Sequence, residues 1–348
     1  MYAGKLGLLD NIRLSNGPEG LRNYFRELLR INRDSALAAI NDNNIRFGTL
    51  YLLKPELPEE LIRHDLNPIY RKALELAASL TGKVSPKTES EMRRGGGDTA
   101  FILRWIVKTG LPEEGLGGKY EQLMERAAAL SIKSFGDTSV LPELAEMIFD
   151  RNRRGALLHE LAWAFFEARC PGSLRLVAQK LESADRRDVE LAKELLCFIP
   201  GIAGKPAEGA VQGSAHNIPA SAGDRSTGAG LSKIAMDWLE ENQHFLCHTG
   251  ESMQLCRMPQ HYRVSWPAKY MCHPVSVNDG KPLAEYQPAE IEILSRFERL
   301  PETLQKQLAD YSHMLYKRNI HQWMTWIRLP VEQQAAIAAT ASDTGGWT

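Results

Sequence analysis

The chain has 348 residues, 43% of them hydrophobic, enough to fill a sizeable core in one large domain or two ordinary ones. Its 42 basic and 43 acidic side chains leave a formal charge of -1, which excludes a global electrostatic pull toward nucleic acid or anionic membrane. No run of apolar residues reaches the length of a membrane span or a signal-peptide core, and five cysteines without scaffold spacing read as reduced thiols, so the expected location is cytoplasmic.

In chain order, Leu21, Tyr24, Phe25 and Leu28 form a first apolar helical stripe, and Tyr70, Ala73, Leu74 and Ala77 repeat its spacing. Between them, Phe47 to Leu53 fits either a short buried helix or a strand. Lys83 to Gly97 reads as a loop, after which Asp98 or Thr99 is expected to cap a helix through Phe101 to Val107, ended by Gly110 and Pro112. Tyr120, Leu123, Met124 and Ala127 mark the next helix.

The clearest pattern spans Leu141 to Ile199. Leu141, Leu144, Ala145 and Ile148 fall at i, i+3, i+4 and i+7, and Leu174, Val177, Ala178 and Leu181 repeat that set about 33 residues later. Each stripe is followed by a polar, arginine-bearing turn or its equivalent and a second amphipathic helix, carrying Leu158, Leu161, Ala162 and Phe165 in the first unit and Val189, Ala192, Leu196 and Ile199 in the second. Over residues 141–199 this order resembles a HEAT or armadillo-like unit. The resemblance implies an all-α fold in which helix pairs stack as an αα-superhelical scaffold with an extended binding groove.

Three segments are therefore expected. Residues 1–200 form the repeat-like scaffold, 201–230 a flexible linker rich in Gly, Ala, Ser and Pro, and 231–348 a small, mostly helical C-terminal domain. The last begins with a short helix near Ile234 to Glu241. It continues through an irregular segment in which Tyr262 to Trp266 alternates like a strand, and ends in a helical hairpin with the stripe Leu304, Leu308, Tyr311 and Leu315.

Several residue groups carry chemistry worth locating. Cys247, His248, Cys256, His261, Cys272 and His273, with His244 nearby, offer the thiolate and imidazole ligands of a tetrahedral zinc site, although eight residues separate Cys247 from Cys256, against roughly two to four in a usual knuckle. His159-Glu160-Leu161-Ala162-Trp163 lacks the second histidine of a helical metalloprotease motif, and His159 reads as a helix residue. Gly95-Gly96-Gly97 before a helix, with Arg93 and Arg94, is a candidate anion cradle without a Walker lysine. Arg151, Arg153 and Arg154 in one turn and Arg186 and Arg187 in the next would share an edge on stacked repeats and track phosphates, diluted by Asp150, Asp185 and Asp188. Trp323 and Trp326, with Tyr311 and Tyr316, make either a hairpin core or a binding surface, and packing is the expected role.

The function these features predict is a non-catalytic protein-binding scaffold or adaptor, with another protein as partner and no membrane. The alternatives are a nucleic-acid-associated protein using the arginine edge and a zinc-dependent enzyme centred on the Cys/His segment.

Overall fold

The computed structural model describes residues 6–82, 95–110, 116–157, 159–202, 228–256 and 259–343. These fold mostly as helix with a single two-stranded sheet, so the fold is all-α in class. Among the described residues no helix is long and apolar enough to cross a membrane. The chain divides into two compact units, Met1–Ala168 and Arg169–Thr348.

The first unit contains α1 (Leu8–Ile31), α2 (Arg33–Ile40), α3 (Phe47–Leu53), α4 (Glu59–His64), α5 (Pro68–Thr81), α6 (Gly96–Thr109), α7 (Gly117–Phe135), α8 (Leu141–Arg153) and α9 (His159–Glu167). Local chemistry sets the ends. Asn32 caps α2 through Ser35 N, and Asn67 caps α5 through Ile69 N with Pro68 in its first turn. Gly136 closes α7 in the left-handed region at φ 63°, where a Cβ would be strained. Inside α1, Gly17 has φ 73° and ψ -178° and is followed by Pro18, so the helix is broken there into two segments.

Phe47 to Leu53 resolves as helix, because Phe47, Leu50, Leu52 and Leu53 are all buried and the helix needs a core on more than one side. Leu9, Leu21, Phe25, Ile40, Leu50, Leu53 and Tyr70 belong to one cluster. Asp10 ties α1 to α3: its Oδ2 accepts from Arg46 N at 3.0 Å, and its Oδ1 accepts from the Thr49 hydroxyl. The helix containing Phe101 begins at Gly96 with no side-chain cap. Asp98 lies in its first turn and pairs with Lys72 at 3.3 Å instead of capping.

The second unit contains α10 (Leu174–Gln179), α11 (Arg186–Leu195), α12 (Gly228–Asn242), β1 (Leu246–His248), β2 (Tyr262–Val264), α13 (Trp266–Tyr270), α14 (Pro288–Phe297), α15 (Glu302–Arg318), α16 (Ile320–Trp326) and α17 (Val331–Asp343). The strands pair antiparallel with Cys247 opposite Arg263. Tyr270 stacks on Phe297 with ring centroids 4.1 Å apart, and Leu308, Tyr311, Leu315 and Trp326 complete that core.

Both helix pairs within residues 141–199 are present, and the eight stripe residues from Leu141 to Leu181 are all buried, but α11 ends at Leu195, so Leu196 and Ile199 of its expected stripe are buried in the turn beyond the helix. Leu158 of the second stripe lies outside the described residues. The pairs belong to different compact units: α8 and α9 to the first, α10 and α11 to the second, where α10 packs on α12. The helix pair before the expected linker thus shares a unit with the helix after it, because Leu174, Val177 and Ala178 bury their stripe there. Of the expected linker, residues 203–227 lie outside the described residues.

Candidate functional site

The Cys/His segment is built on the β1–β2 pair, whose register fixes which side chains meet. Thr249 N donates to His261 O at 3.1 Å and closes the base of the connection between the strands. His261 is 1% exposed with Nδ1 3.1 Å from Glu251 O, and burial pushes its pKa down to about 4, so the ring is neutral. His248 Nδ1 accepts from Gly250 N at 3.2 Å, and its ring meets Tyr262 edge-on at 5.6 Å. Cys256 Sγ lies 3.8 Å from Glu251 Oε2.

The other three candidate ligands lie elsewhere. Cys247 Sγ donates to Arg263 O at 3.3 Å, with Gly280 against the sulfur. Cys272 lies two residues beyond the end of α13, at φ 57°, where its N–H and that of His273 bond back to Lys269 O and Ala268 O as in a helix C-cap. Burial pushes the Cys272 thiol up to about 12, against a hydrogen bond with Ser312, so it is neither a thiolate ligand nor a nucleophile as it stands. His273 faces Glu290 at 3.3 Å and Tyr286 at 5.0 Å between centroids. Among the described residues no group of three or more His, Cys, Asp or Glu gathers in a metal-holding arrangement. His248, Cys256 and His261 surround one connection, while Cys247, Cys272 and His273 do not join them.

A polar network with no local sequence pattern of its own joins α12, α13 and α15. Lys269, 2% exposed, donates to Asn242 Oδ1 at 2.7 Å and to Asp310 Oδ1 at 2.5 Å. One turn away, Glu241 takes Lys317 at 2.7 Å and His313 Nδ1 at 3.2 Å. Burial opposes ionisation of Glu241, but Lys317, His313 and Lys269 outweigh it and hold its carboxyl below the ordinary range. His313 is held below the ordinary imidazole value by burial first and by Lys269 second. Ser312 bonds to Tyr270 O at 2.6 Å and takes Trp323 Nε1 at 2.8 Å. The only signal in the sequence was Lys269 in an otherwise apolar short helix, and its partners lie 27 and 41 residues away.

The arginine turns behave differently from one another. Arg151 pairs with Glu125, and Arg154 with Glu121 at 2.6 Å and Asp150 at 2.7 Å, so these charges clamp α8 onto α7. Arg153 is half-buried. Arg186 and Arg187 are exposed at the start of α11, where Asp185 caps the helix through Arg187 N at 2.9 Å, and Arg186 approaches Glu190 only at 3.8 Å. Arg93 and Arg94 lie outside the described residues. His159 is exposed, and Trp163 carries Lys133 over its ring at 5.6 Å.

The aromatic group divides by depth. Tyr311 and Trp326 are core residues, as expected of packing. Trp323 is half-buried and holds its ring edge-on to Tyr316 at 5.2 Å. Ile320 and Met324, at i and i+4 on α16, remain 47% and 42% exposed, and Tyr316 39%. No family model, curated protein or solved structure matches this chain.

Proposed function

We propose that this chain is a non-catalytic protein-binding scaffold or adaptor acting in the cytoplasm, built from HEAT-like helix pairs, with a recognition surface on the outer face of α16. The observation that carries this reading is the apolar pair Ile320 and Met324, at i and i+4 on α16 and largely uncovered, with Tyr316 exposed beside the half-buried Trp323 while Trp326 packs into the core. A contiguous row of large apolar side chains is the composition by which proteins take an amphipathic partner.

The nucleic-acid reading draws its support from Arg186 and Arg187, which are exposed at the start of α11, whereas Arg151 and Arg154 clamp α8 onto α7. The test is partner capture with the wild-type chain and with Ile320→Asp/Met324→Asp. The expected result is loss of a specific protein partner with an unchanged thermal midpoint. Full retention of every bound partner by a correctly folded double variant sinks the reading.

A further inference from the structure

Asn16-Gly17 is the one Asn-Gly pair in the sequence, and it falls at the break inside α1. Asn16 is exposed, and among the described residues no hydrogen bond holds its carboxamide. A Cβ at Gly20, one turn on, would collide with that of Asn16, so the room beside this side chain exists because Gly20 has none. Gly17 itself lies in open space, with no atom within 4 Å of where a Cβ would stand. Other asparagines show the contrast. Asn32 Oδ1 accepts from Ser35 N at 3.0 Å, and Asn41 donates to Asp65 O at 2.9 Å and accepts from Asn67 N at 2.7 Å. Asn67 precedes Pro68, whose nitrogen carries no proton.

We propose that Asn16 is a site of spontaneous modification, where the Gly17 amide nitrogen closes a succinimide on the asparagine and water opens it mainly to isoaspartate. This inference does not depend on the scaffold reading. The Gly17 nitrogen attacks Asn16 Cγ; the N–Cγ bond forms, the Cγ–Nδ2 bond breaks, and Nδ2 leaves with the amide proton as ammonia. Water then adds to one of the two ring carbonyls. Opening at Cγ gives aspartate, and opening at the α-carbonyl gives isoaspartate, whose main chain runs through Cβ and Cγ. The break in α1 then carries one more backbone atom and one more negative charge.

Ring closure requires the peptide plane between Asn16 and Gly17 to turn, because the helical ψ of Asn16 keeps the Gly17 nitrogen away from Cγ. Opposite rotations of Asn16 ψ and Gly17 φ turn that plane alone and leave the flanking helical segments in place. Gly17 permits this: from φ 73° at ψ -178° it can widen φ through a region open essentially to glycine. Pro18 favours the extended ψ before it and brings no N–H to tie the break shut. The chain's Asp-Gly pair, Asp279-Gly280, has the opposite setting. Gly280 N is committed to Ser276 O at 2.8 Å, and hydrogen bonds from Ser276 and Lys281 N hold the Asp279 carboxyl below its ordinary range, in the ionised form that resists attack.

The experiment incubates the folded full chain in mildly alkaline buffer and maps its peptides with fragmentation that separates aspartate from isoaspartate. A parallel sample in urea supplies the rate without a fold. The expected result is amide-to-acid conversion at Asn16 before any other asparagine, with isoaspartate exceeding aspartate and a folded-chain rate within an order of magnitude of that in urea. Asn16→Gln should abolish the product at this position and leave the thermal midpoint unchanged, because the side chain is exposed. Conversion in urea with Asn16 intact in the folded chain would overturn the proposal, since the fold would then protect the pair. So would aspartate without isoaspartate, which marks direct hydrolysis, or earlier conversion at another asparagine.

Discussion

The Lys269 ammonium lies 2.5 Å from Asp310 Oδ1, with the lysine side chain 3% exposed and the aspartate 31%. This asymmetry gives the two residues different consequences on removal. Asp310→Ala leaves a buried ammonium with Asn242 as its remaining partner and should cost about 3–5 kcal/mol in urea unfolding. Lys269→Met leaves a carboxylate that already reaches water and fills the same space, so it should cost clearly less. The double variant should resemble Lys269→Met; equal losses for both single variants would contradict the buried-charge account.

His313 gives the network a pH signature. Its folded pKa is below the ordinary value, so over the range below about pH 6.5 the unfolded chain binds more protons than the folded one. Stability is therefore fully present above that range and falls as pH falls through it. Glu241, also lowered, adds a loss at more acidic pH, below the ordinary carboxylate value. Unfolding free energies measured from pH 8 to pH 4 should show the upper limb in the wild type and a flatter one in His313→Gln. An unchanged upper limb would assign it to another group.

Gly228 begins α12 so close to the single helical turn at Lys180–Glu182 that an added Cβ would clash with the Leu181 carbonyl oxygen, a backbone atom. Gly228→Ala should therefore destabilise by about 1–3 kcal/mol through overpacking. Alanine's better helix propensity argues the other way, so a stabilised variant by thermal melting would show that the turn simply yields.

The two arginine turns should respond oppositely to charge reversal. Arg151→Glu places a carboxylate against Glu125, a half-buried group whose pKa burial already raises, and should lower stability by more than about 2 kcal/mol. Arg186→Glu touches only an exposed, long contact with Glu190 and should stay within about 0.5 kcal/mol. Nucleic-acid binding can thus be tested at Arg186 and Arg187 by salt-dependent titration without loss of fold, whereas reversals at Arg151 require a melting curve alongside.

What the sequence reveals here follows from how local the cause is. The stripe Leu141, Leu144, Ala145 and Ile148 is buried as its spacing predicts, since three- and four-residue neighbours share a helix face whatever the rest of the chain does. Asp185 likewise caps α11 within two residues. The Cys/His group was not legible in the same way. Cys247 and His248 are adjacent on a strand, so their side chains leave opposite faces, and proximity in sequence did not become proximity in space. Cys197 beside Gln260, and Lys269 beside Asp310, are long-range meetings for which no spacing rule exists.

Gly17 interrupts α1, and the two segments on either side are fastened to different places: Asp10 to Arg46 and Thr49, and Arg26 to Glu56 at 2.6 Å. The break removes the continuous ladder through which one helical rod would fray from its end. In amide hydrogen exchange the stretch before Gly17 and the stretch after Pro18 should accordingly open as separate cooperative units, each with its own protection, although they are consecutive in the chain.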